Sequence, residues 1–242
     1  MRILFFIYGV TCYVMFLGTF LYAMGFVGNF IVPKSMDTGT AISLVEALLV
    51  NLVLLGVFAV QHSVMARQGF KEKWTKIVPE PIERSTYVLA TNLALILLFW
   101  QWRPMGDVIW DVSGSMLGSI LIAISLAGWL IVLISTFLLD HFELFGLKQV
   151  YYYLQGKELI RSGLRQPAFY KVVRHPIYFG FTVAFWATPV MTTAHLLFAI
   201  GTLGYMLIGI FFEERDLISV FGKEYEDYKS RVSMIFPLPP GK

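Results

Sequence analysis

Charged residues and cysteine are both scarce in this sequence, and each shortage excludes a class of protein. Only 14% of the 242 residues are charged, and 57% are hydrophobic. A soluble domain of this length carries about 25% charged and about 45–50% apolar residues. So few charges cannot cover a water-exposed surface. The single cysteine, Cys12, excludes an internal disulfide and a thiolate metal cluster, so we expect no metal site.

The hydrophobic residues are grouped in five blocks, which is typical of a membrane protein. The blocks cover residues 3–27, 41–61, 86–102, 117–139 and 177–212, and the first four approach the ~20 residues that span a bilayer. The fifth is too long for one span and contains Pro189, so we expect a helical hairpin that turns near Thr188–Thr193. The pattern therefore predicts an all-α polytopic membrane protein with about five to six transmembrane helices.

The distribution of basic residues predicts the topology. Three polar segments hold 16 of the 19 basic residues: Arg67, Lys71, Lys73, Lys76, Arg84; Lys148, Lys157, Arg161, Arg165, Lys171, Arg174; and Arg215, Lys223, Lys229, Arg231, Lys242. Because cytoplasmic loops carry the excess of Lys and Arg, we expect both termini in the cytoplasm, with the protein in a bacterial inner membrane. No basic stripe has interleaved aromatic residues outside the apolar blocks, so nucleic acid is not an expected partner.

Two polar clusters flank the hairpin and are the best candidates for a binding site. Arg174-His175-Pro176-Ile177-Tyr178 precedes it, and a proline in a first helical turn leaves backbone N–H groups that attract anions. Glu213-Glu214-Arg215-Asp216 follows it, although the C-terminal end of a helix disfavours negative charge. The alternatives are an interfacial anchor for the first cluster and the start of a solvated tail for the second. Since a hairpin returns to the same membrane face, we expect the two clusters to lie close together.

These clusters belong to a longer pattern that resembles a known superfamily. The pattern is Tyr170-x-x-x-Arg174-His175-Pro176-x-Tyr178-x-Gly180, a hairpin, then Glu213-Glu214-x-x-Leu217-x-x-x-Phe221-Gly222-x-x-Tyr225-x-x-Tyr228. It is similar to the isoprenylcysteine carboxyl methyltransferase and phospholipid methyltransferase superfamily. The resemblance implies S-adenosylmethionine as cofactor, an acceptor entering from the lipid side, and cofactor contacts from Arg174, His175, Pro176, Tyr178, Gly180, Glu213, Glu214 and Tyr225. The resemblance covers about residues 163–237. Together with the hydrophobic blocks it predicts two regions: residues 1–139 as a four-helix transmembrane region, and residues 140–242 as a cytoplasmic loop, hairpin and tail that form the catalytic region.

Further motifs indicate which branch of the superfamily the chain resembles. Members that methylate isoprenylcysteine carboxylates carry an arginine about one turn before the paired glutamates, where this chain has Gly209. Three motifs, Gln61-His62-Ser63-x-x-Ala66-Arg67, Glu83-Arg84-Ser85 and the segment 140–149, resemble the methanethiol S-methyltransferase branch, whose product is dimethyl sulfide. The alternatives are a lipid or isoprenylcysteine methyltransferase and a non-enzymatic membrane protein of nitrogen-oxide metabolism.

Because the thiolate is the nucleophile, an enzyme that methylates a small thiol must position both sulfurs and remove or bias one proton. His141 is the first candidate base, since the neighbouring Asp140 can orient an imidazole and raise its pKa. Adjacent residues of a helix do not face each other, so this pair requires a break in the helix. Glu143 is an alternative orienting group. His62, at the end of the second block, is an alternative base or a simple interfacial residue.

Overall fold

The computed structural model describes residues 1–40, 42–159 and 163–237, and these are almost entirely helical. In chain order the helices are α1 (Arg2–Gly28), α2 (Leu44–Ala66), α3 (Gln68–Trp74), α4 (Glu80–Gln101), α5 (Met116–Leu139), α6 (His141–Leu144), α7 (Leu147–Gln155), α8 (Pro176–Trp186), α9 (Thr193–Phe221) and α10 (Lys223–Arg231). Two short strands, β1 (Val108–Asp111) and β2 (Val190–Thr192), and a 3-10 helix, Ala168–Lys171, complete the described elements.

Five of these helices are long and apolar enough to cross a membrane: α1, α2, α4, α5 and α9. The shorter helix α8 has 11 residues, which correspond to about 16 Å of helix. Side chains such as Ile3, Leu21, Val53 and Leu130 remain exposed on the long helices, as expected for surfaces that face lipid rather than water. The predicted all-α polytopic fold with about five to six membrane helices is confirmed.

The hairpin predicted in the fifth block is also present. Helix α8 ends at Trp186, and α9 begins at Thr193. The prediction that His62 ends the second span needs adjustment, because α2 continues to Ala66 and His62 lies one turn inside the helix. Residue 41 of that block, and Arg161 and Lys242 of the basic segments, lie outside the described residues.

Capping residues explain several of the helix boundaries. The side chain of Ser43 accepts a hydrogen bond from the Glu46 amide at the start of α2, and Ser115 accepts one from the Gly118 amide at the start of α5. Each side chain satisfies an amide that has no partner inside the helix. Helix α8 begins instead with Pro176, and its N-cap residue, His175, makes no side-chain capping hydrogen bond.

The chain divides into two compact units. The first comprises Met1–Ile109, His141–Ile160 and Met191–Leu197, and the second comprises Trp110–Asp140, Arg161–Val190 and Phe198–Lys242. In the first unit α1 packs against α4 and α7, and α2 packs against α4. In the second unit α5 packs closely along α8. The predicted boundary at residue 139 separates a transmembrane region from a catalytic region. It is a division by function, which the compact units do not test, and it stays a prediction.

Candidate functional site

The two polar clusters that flank the hairpin are in contact within the second unit. Arg174 and His175 precede α8, and Glu213 and Glu214 lie near the end of α9. Arg174 Nε lies 2.8 Å from Glu214 Oε1, and His175 Nε2 lies 3.1 Å from the same oxygen. The expectation that the hairpin brings these clusters together is therefore confirmed.

Glu214 is the buried centre of this arrangement. Its side chain is only 6% exposed, and its second oxygen, Oε2, lies 2.7 Å from the ammonium nitrogen of Lys229 on α10. Two cationic side chains and an imidazole therefore surround one carboxylate. A charge this deeply buried requires such partners, because its desolvation is costly. Glu214 thus links α9 to α10 and to the segment that precedes α8.

Glu213 occupies a different environment from its neighbour. Its side chain is 46% exposed, and Oε2 lies 3.7 Å from His175 Nδ1. The hydroxyl of Tyr178 donates to the same oxygen at 3.1 Å, and the Tyr178 ring stacks on the imidazole of His175. Glu213, Tyr178 and His175 therefore form a partly open face next to the start of α8. A carboxylate and a hydroxyl on such a face can bind an ammonium or hydroxyl group of a ligand.

The C-terminal segment completes the cluster through its backbone. The amides of Arg174 and His175 donate to the carbonyls of Ser233 and Met234, at 2.8 Å and 3.1 Å. Arg174 Nη1 also donates to the carbonyl oxygens of Lys229 and Val232. The segment that contains Arg174 and His175 is therefore paired along its length with the chain that follows α10.

Buried tyrosines also contribute to this part of the second unit. The Tyr228 hydroxyl donates to the Tyr170 carbonyl at 2.6 Å. Burial raises the pKa of Tyr228 to about 12, with a smaller lowering effect from the Arg174 charge and a smaller raising effect from Glu214. Burial also raises the pKa of Tyr170 and of Tyr225, with added repulsion from Glu213 and from Glu214, respectively. All three hydroxyls therefore keep their protons at neutral pH, so Tyr228 is available as a donor.

Pro176, Gly180 and Tyr225 complete the set of residues that the resemblance assigns to the cofactor. Pro176 is fully buried in the first turn of α8, and Tyr225 is 1% exposed beside Tyr228. Gly180 lies against α5, where an added Cβ would come within 2.8 Å of the Gly128 carbonyl oxygen and 2.9 Å of the Val132 amide. Close helix packing already accounts for this glycine, and its contact with a cofactor stays a prediction.

His141, the first candidate base, is enclosed in the first unit. The residue is only 3% exposed, and the Nε2 atom of its imidazole lies 2.9 Å from the hydroxyl of Tyr13 on α1. The rings of Tyr13 and Phe142 meet the imidazole edge-on at 5.7 Å and 5.4 Å, and Phe145 lies 4.9 Å from it. The aromatic surroundings and one hydroxyl therefore orient this imidazole.

The break required for an Asp140–His141 pair is present. Helix α5 ends at Leu139, α6 begins at His141, and Asp140 between them has a non-helical backbone (ψ 87°). Glu143 Oε2 forms an ion pair with Lys148 Nζ at 3.1 Å. This pairing competes with the alternative role of Glu143 as an orienting group. The roles of Asp140 and Glu143 toward His141 stay predictions.

His62 lies in a second polar cluster of the first unit, between α2 and α4. The Tyr87 hydroxyl is 2.8 Å from Nε2, and Thr91 Oγ1 is 3.2 Å from Nδ1. The guanidinium of Arg84 lies over the Tyr87 ring at 4.8 Å from its centroid. His62 is therefore a hydrogen-bonded histidine within a helix pair rather than an exposed interfacial one.

Sequence reasoning missed several residues that these contacts involve. Tyr13 and Tyr87 are aromatic residues within apolar blocks, where nothing distinguishes them from lipid-facing residues. Lys229 belongs to no motif, and its sequence context indicates only a basic residue of the tail. Tyr228 does carry a signal, since it ends the C-terminal motif, but that signal indicates no particular role in the site.

The polar groups around Glu213 in the second unit fit a zwitterionic, cationic methyl donor better than they fit a metal ion. Among the described residues no group of three or more His, Cys, Asp or Glu side chains is arranged to hold a metal ion. A half-exposed carboxylate, a hydroxyl and an uncapped helix start instead provide partners for an ammonium, a hydroxyl and a carboxylate. Gly209, one turn before Glu213, leaves space here, because an added Cβ would meet only the Tyr178 hydroxyl, at 3.9 Å.

Comparison with known proteins gives a family and several close relatives. A model described as "NnrU protein" matches residues 49–236. Methanethiol S-methyltransferase 1 of Bradyrhizobium diazoefficiens is 57% identical over 232 residues, which are 96% of this chain and 81% of the relative. Methanethiol S-methyltransferase of Mycobacterium tuberculosis is 56% identical over 238 residues, 98% of each chain.

A more distant relative extends the comparison to animals. Nurim of Mus musculus is 30% identical over 183 residues, which are 72% of this chain and 70% of that protein. No solved structure matches the chain.

Proposed function

The chain belongs to the NnrU protein family, and we propose that it transfers a methyl group from S-adenosylmethionine to methanethiol, which yields dimethyl sulfide. Relatives named methanethiol S-methyltransferase match nearly the whole chain at 50–57% identity. They confirm the branch that the sequence motifs resemble, and they favour an enzyme over a non-enzymatic protein of nitrogen-oxide metabolism.

One structural observation supports a donor site in the second unit: the contact between the cluster before α8 and the glutamates of α9. We assign donor binding to Arg174, His175, Tyr178 and Glu213, with Pro176, Gly180, Glu214 and Tyr225 as the further residues that the resemblance implies. The half-exposed Glu213 carboxylate, with Tyr178 donating to it at 3.1 Å, offers a partner for the ammonium group of an amino acid. The start of α8 offers amides for a carboxylate.

The donor supplies an electrophilic methyl group on a sulfonium sulfur, so the protein must position the acceptor thiol and accept its proton. A nitrogen of His141 would take the thiol proton and leave the sulfur as a thiolate, and a donor held by Glu213 and Tyr178 would supply the methyl group to that sulfur. Tyr13 orients the imidazole at 2.9 Å. Asp140 and Glu143 remain candidate orienting groups, and His62 remains the alternative base.

The membrane placement is part of the proposal. Five helices support an integral membrane protein, and the basic segments favour cytoplasmic termini in a bacterial inner membrane. A reporter fused at Lys242 should be active on the cytoplasmic side. An extracytoplasmic reading would reverse the topology and place the basic segments outside the cytoplasm.

The experiment that tests the function is a volatile-product assay on the purified protein in lipid nanodiscs. Methanethiol and S-adenosylmethionine should yield dimethyl sulfide, and His175→Ala should reduce the yield by weakening donor binding. Farnesylcysteine and phosphatidylethanolamine are the competing acceptors. Methylation of either one without dimethyl sulfide formation would move the assignment to the alternative acceptor class.

A further inference from the structure

The two adjacent glutamates of α9 differ in what remains available to a ligand. Glu214 Oε1 lies 2.8 Å from Arg174 Nε and 3.1 Å from His175 Nε2, and Oε2 lies 2.7 Å from Lys229 Nζ. A carboxylate has about four acceptor positions, so protein groups already occupy most of those of Glu214. Glu213 has the Tyr178 hydroxyl at 3.1 Å and a side chain that is 46% exposed.

Lys229 connects this buried carboxylate to the tail. It lies on α10, beyond the end of the last membrane helix, and its own side chain is 46% exposed while that of Glu214 is 6% exposed. The carbonyl of Lys229 also accepts a hydrogen bond from Arg174 Nη1 at 3.1 Å. One tail residue therefore contacts both members of the Arg174–Glu214 pair, through its side chain and through its backbone.

The same tail also forms hydrogen bonds with the backbone of Arg174 and His175. Their amides donate to Ser233 and Met234, four and five residues after Lys229. A displacement of α10 would therefore change the position of His175 relative to Glu213 and Tyr178. Binding groups are effective only when the surrounding contacts hold them in place.

We propose that Lys229 and Glu214 are positioning residues that hold Arg174 and His175 in place at the donor site, and that Glu213 and Tyr178, unlike Glu214, touch the methyl donor. This inference rests on the proposed function, because it concerns the donor site of that reaction. It separates the two glutamates, which the sequence motif treats as equivalent, and it adds the tail residue Lys229 to the determinants of donor affinity.

The test is a comparison of Lys229→Met with Lys223→Met in nanodiscs. Lys223 is an exposed lysine at the first position of the same helix, outside the cluster. Lys229→Met should raise the KM for S-adenosylmethionine by about ten- to hundredfold, the range for loss of a hydrogen bond to a charged group. The kcat at saturating donor should change less than threefold, Lys229→Arg should recover most of the affinity, and Lys223→Met should match the parent.

The results separate this inference from the function on which it rests. If the parent binds S-adenosylmethionine in calorimetry and Lys229→Met binds it equally well, the positioning role of Lys229 is wrong while the function stands. If the parent neither binds the donor nor makes dimethyl sulfide, both proposals are wrong. If Lys229→Met fails to accumulate in the membrane, Lys229→Gln takes its place, and an unchanged KM in that variant is likewise contradictory.

Discussion

The close approach of α5 and α8 offers a sharp test, because Gly180 has two competing explanations. An alanine at this position would place its Cβ 2.8 Å from the Gly128 carbonyl oxygen, 2.8 Å from a methyl carbon of Val132 and 2.9 Å from the Val132 amide nitrogen. Two of these three atoms belong to the backbone of α5, so no side-chain rotation relieves the contact. The helices must separate locally, or the fold loses stability.

The size of the effect follows from two opposing contributions. Overpacking of a close-packed interior costs typically 1–3 kcal/mol, and replacing a helical glycine by alanine stabilises the helix by about 1 kcal/mol. Because two of the contacted atoms are backbone atoms, the overpacking cost lies in the upper part of this range, about 2–3 kcal/mol. We therefore expect Gly180→Ala to lower the free energy of unfolding by about 1–2 kcal/mol. For a chain of this size this corresponds to a fall in melting temperature of about 2–8 °C.

Thermal unfolding in nanodiscs, followed by intrinsic fluorescence, measures this change. Gly204→Ala is the matched control, since Gly204 lies within α9 and an added Cβ there would meet no atom within 4 Å. Its melting temperature should stay the same or rise. An unchanged melting temperature in Gly180→Ala together with a raised KM for S-adenosylmethionine would refute the packing argument and support the cofactor contact that the motif implies.

Three further predictions concern the two candidate centres. His141→Ala should lower the rate of dimethyl sulfide formation by roughly 10²–10⁴, with partial recovery at high pH where free thiolate is abundant; a parental rate at neutral pH would make His62 the base to test. Tyr13→Phe removes the hydroxyl 2.9 Å from His141 Nε2 and should shift the pH–rate profile without a change in donor KM, whereas an unshifted profile would contradict an orienting role. Burial raises the pKa of Tyr228 from 10.0 to about 12, so its protonated form favours the folded state; this contribution is complete below pH 10 and lost as the pH approaches 12. Tyr228→Phe should therefore reduce the decline in stability over this interval, and identical pH curves for variant and parent would contradict the assignment.

Hydropathy alone was sufficient to predict the membrane helices, because the bilayer core requires long apolar segments with internally paired backbones. The hairpin was predictable for the same reason, from the excess length of the fifth block and Pro189. The exact ends of the helices were harder to predict from the sequence. His62 was expected at the end of its span, but α2 continues to Ala66, since polar residues near an interface can remain helical.

The family motif also predicted the proximity of His175 and Glu214 across the hairpin, and its assignment of these residues to a methyl donor stays a prediction. Motif spacing identifies which residues lie at one membrane face, since a hairpin returns the chain to the side where it entered. Motif spacing does not reveal which polar side chains already have most of their hydrogen-bonding positions occupied by other protein groups. That distinction depends on burial and on partners supplied by other elements, and Lys229 is such a partner, located outside the motif core.

The sequence by itself therefore determined the membrane fold, the hairpin and the two polar clusters that flank it, because hydropathy and local motifs are encoded by nearby residues. Tertiary structure decided the rest: the ion pair from Lys229 to Glu214, the hydroxyl of Tyr13 at His141 and the packing of Gly180 against α5. Each of these joins residues far apart in the chain or on different helices. Contacts of this kind depend on how the helices approach one another, which no local pattern in the sequence specifies.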